Sequence, residues 1–369
     1  MKRPIFTILA SIVLVSSASA REIVVTRTSD CRSINTAIQA LPSEGGTVQI
    51  EAATFICEEP VVIDRDNVTL RGAGRGQTIL RLKPMNAAPL LVIGVMQVEA
   101  RQTERHGIQY YPVREVQNIE VADLSLDGDL PNQKPAFDHE CYDVENKKSL
   151  SCAGDGGRFI RNNGVTVRRA RNVRLFNIAA DRELSGGLVL EKLSSHILVD
   201  GFYAEGNAFD GIAGYETRHS IFKNVLLQKN KFSGISVDFD FEDNIFDHVA
   251  LVENGDNGIF SHSVSRNTYK NLIARNNGNY GAWIDGIRRN KGKDAEGNDV
   301  WEIVPATCDE THFINAKFVN NRNPAIRINH VCQGVKIENV KVKKRDLAQE
   351  CVSTHEGSSV EYSGPFVCE

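Results

Sequence analysis

Apolar and polar residues alternate in short runs that return along the second half of the chain at a nearly constant interval. In each copy, apolar side chains occupy every second position, and a small or polar residue stands at the same place within the run. These equivalent positions are Asn177, Gly201, Asn224, His248, Asn271, Asn315 and Asn339. They lie 24, 23, 24, 23, 44 and 24 residues apart, and the interval of 44 is one repeat plus an insertion. The chain therefore contains an internal repeat.

A second recurring run lies between the copies of the first. It begins at Gly187, Gly211, Gly234, Gly258, Gly281 and Ala325. Each repeat thus holds short strands separated by Asn- and Gly-rich turns, which tolerate left-handed backbone. Such short strands cannot bury a face alone, but stacked coils bury a continuous one. The period predicts an all-β, single-stranded parallel β-helix with inward apolar columns and stacked Asn at its corners. A β-sandwich, the alternative, does not keep a constant period.

Both ends of the predicted solenoid carry segments that fit as caps. Residues 33–41 form an amphipathic pattern that predicts a capping helix starting at Ser33. Residues 341–345 end the strand pattern on a basic run, and the tail 346–369 is expected to cover the other end. The predicted organisation is a signal peptide at 1–20, a β-helix at 21–345 and a C-terminal cap at 346–369.

Three features carry a resemblance to a known group of proteins. They are the helix followed by the sequence GGTV at 45–48, the turn sequence VTLRGAG at 68–74, and the Asn-laddered coils. Together they resemble the pectate-lyase-like right-handed β-helix superfamily, which includes pectate and alginate lyases, polygalacturonases and mannuronan epimerases. The resemblance spans residues 30–345 and implies the fold. The contiguous Asn-Thr-Asp, Asp-Asp and Gly-His-Gly motifs of polygalacturonases and the Asp-Pro-His motif of mannuronan epimerases are absent. The reaction must therefore be argued from the site.

The first residues indicate export. Lys2 and Arg3 precede an apolar run at 5–15, and the small residues 18–20 fit a cleavage site, so we expect a secreted or periplasmic protein. The eight cysteines follow this segment, and an even number in an exported chain favours disulfides. Zinc ligation is the alternative, but no CxxC pair exists. Pairing of nearest neighbours predicts Cys31–Cys57, Cys141–Cys152, Cys308–Cys332 and Cys351–Cys368.

Composition and charge exclude several classes of protein. A hydrophobic share of 41% is too high for a disordered chain. The net charge of −4 becomes 41 − 47 = −6 once Lys2 and Arg3 are removed, which argues against nucleic-acid binding. No later apolar run is long enough to insert in a membrane. For the oligomeric state, we expect a monomer. Any polyanionic ligand must be met by a few placed arginines or by an ion.

Two insertions break the period and point to one face of the solenoid. Residues 129–160 precede the strand at 165–167, and residues 287–310 follow the strand at 283–285. Long loops beside a regular scaffold commonly carry function. We therefore expect a binding groove on the sheet formed by these strands, with one insertion on either side.

Aligning the strands of this sheet gives two outward columns. One, the mixed column, contains Thr166, Val189, Ala213, Ser236, Phe260, Trp283 and Arg327. The other, the polar column, contains Arg168, Glu191, Tyr215, Asp238, His262, Asp285 and Asn329. Neighbouring members should lie about 4.8 Å apart. The predicted catalytic residues are four successive members of the polar column: Tyr215, Asp238, His262 and Asp285.

Lyase or epimerase chemistry on a uronate-containing polysaccharide fits this set. It needs a base for the proton alpha to a carboxylate, an acid, and cations for that carboxylate. His262 or Tyr215 is the candidate base. The remaining predicted substrate-binding residues are Arg218, Arg288, Arg289, Arg327, Asp240 and the aromatic pair Phe260 and Trp283. Asp238 and Asp240 are weak candidates for Ca²⁺ ligands, although a solvated acidic turn explains the same sequence.

Two other functions remain open at this point. Asp238 or Asp240 together with Asp285 fits the separation of carboxylates in an inverting glycoside hydrolase of the polygalacturonase type, since Asp238 and Asp285 should lie roughly 9.6 Å apart at Cα. A β-helix that binds carbohydrate or mediates adhesion without catalysis is the non-enzymatic alternative. The acidic chain gives no general attraction for polyanions, which favours this alternative or a neutral substrate.

Overall fold

The fold was determined from a computed structural model, which describes residues 21–27, 30–103, 107–133, 140–143, 148–151, 158–293, 299–304, 308–330 and 332–369. The predicted signal peptide at 1–20 lies outside the described residues. No helix in this part of the chain is both long and apolar enough to cross a membrane.

The chain winds into a parallel β-solenoid with two long sheets. The first, here the site sheet, has ten strands that pair in parallel with one another. Its strands are Val61–Ile63, Leu91–Ile93, Val165–Arg168, Leu188–Glu191, Ile212–Tyr215, Ile235–Asp238, Ile259–His262, Ala282–Asp285, Ile326–Ile328 and Val352–Thr354. The predicted all-β parallel β-helix is thus confirmed.

The second sheet, here the back sheet, has sixteen strands. They are Arg21–Val25, Gly46–Ile50, Ala53–Cys57, Val68–Arg71, Thr78–Leu82, Val116–Asp127, Ala170–Asp181, Ser195–Glu205, Ile221–Gln228, Ile245–Val252, Thr268–Lys270, Ile273–Arg275, His312–Ile314, Lys317–Val319, Val335–Lys343 and Val360–Cys368. The last strands of both sheets lie within the predicted cap at 346–369, where Val352–Thr354 and Val360–Cys368 stack in parallel on the preceding coil.

The core consists of apolar side chains that stack from coil to coil inside the solenoid. Phe222, Phe246, Tyr269 and Phe313 occupy equivalent positions of successive back-sheet strands. Their ring centroids are 4.4, 5.0 and 5.4 Å apart along this series, and all four rings are fully buried. The repeat in sequence therefore becomes a continuous aromatic stack, to which each of these four coils contributes one ring.

The corners of the coils explain the recurring asparagines. All seven equivalent positions identified in the sequence have left-handed backbone, with φ from 50° at Asn177 to 75° at Gly201. Asn and Gly adopt this conformation with the least steric cost. A second set of asparagines forms a buried ladder of side-chain hydrogen bonds, which runs through Asn207, Asn230, Asn254, Asn277 and Asn321.

The N-terminal cap is a helix at Cys31–Gln39, which starts two residues before the predicted Ser33. The difference arises because Asp30 is the N-cap residue: its Oδ1 accepts hydrogen bonds from both the backbone N–H and the hydroxyl of Ser33. Ile34 and Ile38 are fully buried and place the apolar face of the helix on the open end of the solenoid.

Disulfides hold both ends of the solenoid. Three of the four predicted pairs are present: Cys31–Cys57, Cys308–Cys332 and Cys351–Cys368. Cys141 is also disulfide-bonded, whereas its predicted partner Cys152 lies outside the described residues. Disulfides persist in oxidising compartments, so the three pairs are consistent with an extracytoplasmic location.

Candidate functional site

The strand register of the site sheet brings together the same residues as the two columns obtained by aligning its repeated strands. In the mixed column, Ser236 pairs with Phe260, and Phe260 pairs with Trp283. In the polar column, Tyr215 pairs with Asp238, Asp238 with His262, and His262 with Asp285. The four predicted catalytic side chains therefore lie on four successive strands of the site sheet, about 4.8 Å apart at each step.

Asp238 and His262 form a hydrogen-bonded pair at the centre of the polar column. The Asp238 Oδ1 atom lies 2.9 Å from His262 Nδ1 and also accepts the backbone N–H of Phe239 at 2.9 Å. Both side chains are partly exposed, at 19% for Asp238 and 28% for His262. An imidazole whose Nδ1–H is held by a carboxylate keeps Nε2 as the acceptor, so this pair has the form of an oriented base.

Tyr215 stands one strand before Asp238. Burial of its hydroxyl raises the pKa of Tyr215 above its ordinary value, and the nearby carboxylates of Asp210, Asp238 and Glu191 act in the same direction. The guanidinium of Arg161 opposes this shift in the pKa. A tyrosine with a raised pKa keeps its proton at neutral pH, and the same shift makes its hydroxyl a weaker acid.

Asp285 also pairs with a histidine, which the sequence alignment did not identify. Its Oδ1 atom forms a hydrogen bond with Nδ1 of His330, and the His330 ring lies 5.8 Å from that of His355. His330 follows the strand Ile326–Ile328 and stands outside both columns, so strand periodicity gives no signal for it. The face thus carries two Asp–His pairs, and the second involves Asp285, one of the four predicted catalytic residues.

Aromatic side chains lie beside the polar column. Phe260 stacks on His262 at a centroid distance of 6.0 Å and meets Trp283 edge-on at 5.3 Å. Tyr280, which the sequence analysis did not select, lies 5.7 Å from Trp283. The buried Nε1 of Trp283 finds no acceptor among the described residues. Rings of this kind provide flat apolar surface beside polar groups, as carbohydrate sites require.

The predicted arginines occupy different surroundings. Arg327 follows Trp283 in the mixed column and donates through Nε to Asn329 Oδ1 at 2.7 Å and through Nη1 to the Ser353 hydroxyl. Arg218 lies beyond the end of its site-sheet strand, and its guanidinium is 3.3 Å from the carboxylate of Glu242. Arg288 and Arg289 are in the hairpin strand Ile287–Lys293, but their side chains lie outside the described residues.

The calcium hypothesis gains no further ligands from the fold. Asp240 and Phe239 both have left-handed backbone, with φ of 58° and 41°, in the turn after the strand Ile235–Asp238. Within the described part of the chain, no group of three or more His, Cys, Asp or Glu side chains could hold a metal ion. A Ca²⁺ ion bound by Asp238 and Asp240 stays a prediction.

Both predicted insertions fold into antiparallel elements. Residues 129–160 contribute the strands Glu140–Asp143 and Lys148–Ser151, which form a small sheet with Ile160–Arg161. Residues 287–310 contribute a hairpin of Ile287–Lys293 and Asp299–Val304. A third element is the hairpin of Val98–Thr103 and Gly107–Pro112. It was not predicted because it precedes the part of the chain in which the repeat is recognisable, so it interrupts no visible period.

A cavity of about 300 Å³ lies on the site sheet next to Tyr215. The missed hairpin and the small antiparallel sheet both contribute to its walls. Its lining residues are Gln109, Cys141, Phe159, Arg161, Asn163, Ser185, Gly186, Val189, Glu191, Lys192, Phe209, Ala213, Tyr215, Glu216 and Phe239. The cavity is therefore lined both by members of the polar column and by residues that were not predicted from the sequence.

The buried carboxyl of Asp210 lies behind this cavity. Burial raises the pKa of Asp210 to about 7, although a hydrogen bond from the Ser233 backbone N–H and the charge of Arg161 act against the rise. A group with this pKa titrates near neutral pH. Asp210 is thus a further ionisable group at the site, found only from its burial.

Comparisons with known proteins agree on the fold. A family model described as "Right handed beta helix region" matches residues 152–300. No curated protein sequence matches the chain. Among solved structures, the A-module of mannuronan C-5 epimerase AlgE4 from Azotobacter vinelandii aligns with a TM-score of 0.62 at 15% identity, over 92% of each chain. The chain therefore has the right-handed, pectin-lyase-like β-helix fold.

Other similar structures have different origins. Endo-xylogalacturonan hydrolase from Aspergillus tubingensis aligns with a TM-score of 0.60 at 11% identity, over 94% of this chain and 96% of that one. ORF18 of Geobacillus virus E2 aligns with a TM-score of 0.68 at 12% identity, over 94% of this chain and 62% of that one. At such identities the likeness establishes the fold alone, so the reaction must come from the site.

Proposed function

We propose that the protein is an exported carbohydrate-active enzyme, a lyase or C5-epimerase that acts on a uronate-containing polysaccharide. The site is the polar column from Tyr215 to Asp285 with its aromatic flank. The observation that carries the proposal is the Asp238–His262 hydrogen bond, which orients a base on the open face two strands beyond a tyrosine that retains its proton. The carbohydrate-active β-helices among the similar structures support the substrate class.

The proposed chemistry starts with removal of the C5 proton by Nε2 of His262. The electron pair left on C5 delocalises into the substrate carboxylate, which a cation must neutralise. Arg327 lies two strands from His262 on the same face and is the candidate for this cation. Tyr215 then donates its proton either to the leaving oxygen at C4, which gives a lyase, or to the opposite face of C5, which gives an epimerase.

The contacts of the two aspartates argue against an inverting hydrolase. Such an enzyme needs one carboxyl group that keeps its proton and one that activates water. Here Asp238 and Asp285 each contact an imidazole Nδ1, so one oxygen of each carboxyl group already has a histidine as its partner. Each aspartate is therefore placed to orient its histidine, which is a different role from that of the two carboxyl groups of an inverting hydrolase.

The test is incubation of the purified protein with alginate, polygalacturonate and a neutral glycan. A lyase generates a C4–C5 double bond that absorbs in the ultraviolet, whereas an epimerase incorporates solvent deuterium at C5, which proton NMR detects. We expect one of these signals from a uronate polymer. His262→Ala and Tyr215→Phe should each lower the rate by about 10²-fold or more, the contribution of a positioned acid or base.

His248→Ala is the matched control. His248 also contacts an aspartate, Asp247, through Nδ1 at 2.8 Å, but it lies on the back sheet with 65% of its side chain exposed. Its loss should leave the rate unchanged. If the His262 and Tyr215 variants retain the wild-type rate, the assigned residues are wrong; if reducing ends appear without unsaturation or exchange, the enzyme is a hydrolase.

A further inference from the structure

The outer face of the site sheet is covered at its N-terminal end and open towards its C-terminal end. In the mixed column, the exposed fractions of Thr166, Val189 and Ala213 are only 0%, 6% and 4%, although these positions point away from the core. From Ser236 onward, through Phe260 and beyond, the same column is partly exposed. The change occurs between two adjacent strands.

The hairpin of Val98–Thr103 and Gly107–Pro112 contributes to this cover, and so does the small antiparallel sheet of Glu140–Asp143, Lys148–Ser151 and Ile160–Arg161. Tyr111 from the hairpin donates a hydrogen bond to the carboxylate of Glu216, just after the strand that carries Tyr215. The guanidinium of Arg169 donates to the carbonyl of Pro112, and Lys192 lies 5.3 Å from the Tyr111 ring. The hairpin is therefore fixed to the scaffold by several contacts.

The cavity lies where the covered face meets the open one. It shares Tyr215 with the polar column, and it also includes Phe239, whose ring packs edge-on against His262 at 6.1 Å. Its volume of about 300 Å³ is at the lower end of the range for small-molecule sites, so it accommodates a short segment rather than a long chain. Phe159 and Phe209 supply aromatic wall.

The charges around the cavity favour a carboxylate ligand. Arg161 lies over the ring of Phe209 at 5.3 Å, which holds its guanidinium at the wall, and Lys192 is a second cation. The two lining acids have partners: Glu191 lies 3.3 Å from Arg168, and Glu216 accepts from Tyr111. A planar guanidinium next to an aromatic face matches a sugar that carries a carboxylate.

We propose that this cavity is a terminal subsite, which binds the end residue of a uronate chain through Arg161 and makes the enzyme act from chain ends. The inference rests on the proposed function and adds its mode of action. A polysaccharide that follows the open face towards Tyr215 reaches the hairpin and the small sheet, and its last residue enters the cavity. Cleavage or inversion at the polar column then occurs close to that end.

Binding stoichiometry tests the subsite without depending on turnover. His262→Ala protein is titrated calorimetrically with uronate chains of one type in a short and a long size class. A terminal subsite requires one protein per chain at both lengths, whereas binding along the chain gives a ratio that rises with length. A rising ratio overturns the terminal subsite.

Arg161→Gln in the same background tests the proposed contact. We expect it to weaken binding of a uronate trisaccharide by about tenfold or more, since a charged hydrogen bond is lost. Arg174→Gln, on the exposed back sheet, is the control and should bind like the parent protein. Circular dichroism confirms that each variant is folded, and Lys192→Gln provides a second variant of the cavity. Unchanged affinity in both cavity variants contradicts the proposal.

The time course with active enzyme separates failure of this inference from failure of the proposed function. Action from chain ends releases short products, or inverts terminal residues, while viscosity stays high. Products of mixed length with an early fall in viscosity overturn the terminal subsite and leave the lyase or epimerase assignment intact. If uronate chains are neither bound nor changed, the proposed function fails and the subsite with it.

Discussion

Two kinds of asparagine recur along the coils, and they stabilise the solenoid in different ways. Exposed corner residues such as Asn224 adopt left-handed backbone and bond along the surface, here to Asp200 Oδ1 at 2.7 Å. Ladder residues such as Asn254 are buried, and Asn254 Oδ1 accepts both the backbone N–H and the side-chain amide of Asn230, at 3.2 and 3.0 Å. The corner set is visible as a period in the sequence. The ladder residues recur at the same intervals, but the sequence does not show that they turn inward, because the rotation of a side chain depends on the neighbouring coil.

Asn254→Ala is therefore expected to cost more stability than a change at a corner. It leaves the buried N–H of Asn230 and the carbonyl of Leu227 without their partner, at roughly 1–3 kcal/mol for each group. Asn224→Gly is the control, since glycine keeps the left-handed backbone and only an exposed bond is lost; we expect less than about 1 kcal/mol. Urea denaturation measures both, and equal losses would contradict the distinction.

The candidate site consists of a periodic column of strand residues and of elements outside the repeat. The sequence predicted the column but not the other elements. Register alone fixes the column from Tyr215 to Asp285, because each strand repeats the one before it. The hairpin at 98–112, the cavity residue Arg161 and the partner His330 break or escape the repeat. Their positions depend on tertiary contacts, for which a single sequence with a strong period gives no signal.

The hairpin should depend on its bond to the scaffold. Tyr111→Phe removes the hydrogen bond to Glu216, and burial together with that bond now raises the pKa of Tyr111. We expect amide hydrogen exchange in Gly107–Pro112 to become about tenfold faster, since a bond to a charged group contributes on the order of 1.5 kcal/mol or more. Tyr110→Phe, on the same strand, should leave exchange unchanged. Equal exchange in wild type and Tyr111→Phe would show that other contacts hold the hairpin.

At the scale of the whole molecule, the period in the sequence accounts for the architecture. The apolar columns, the corner residues and three disulfides were predicted, and each follows from a local pattern repeated in every coil or from pairing of neighbouring cysteines. What the period does not reveal is burial of polar groups between coils. Asp181, Glu183 and Asp210 are examples, because their raised pKa values arise from desolvation in the assembled solenoid.

These buried carboxyls should make the unfolding free energy decrease as the pH rises towards neutrality. Burial raises the pKa of Asp181 and of Asp210 to about 7, from an ordinary value of 3.8, so the folded state holds protons that the unfolded state has released. Between these two pH values the folded state binds more protons, and stability falls with increasing pH. Each such group contributes a slope of up to about 1.4 kcal/mol per pH unit.

Asp210→Asn tests this dependence, because an amide has nearly the same shape as the protonated carboxyl and does not ionise. We expect the variant to show a flatter stability profile than wild type from about pH 4 to 7, measured by urea denaturation at each pH. Asp243→Asn is the matched control: Arg266 lowers the pKa of Asp243, so its stabilisation is present above the unfolded pKa and is lost only as the pH falls further. Coincident slopes for wild type and Asp210→Asn between pH 4 and 7 would mean that Asp210 is ionised in the folded protein, with Arg161 compensating its charge.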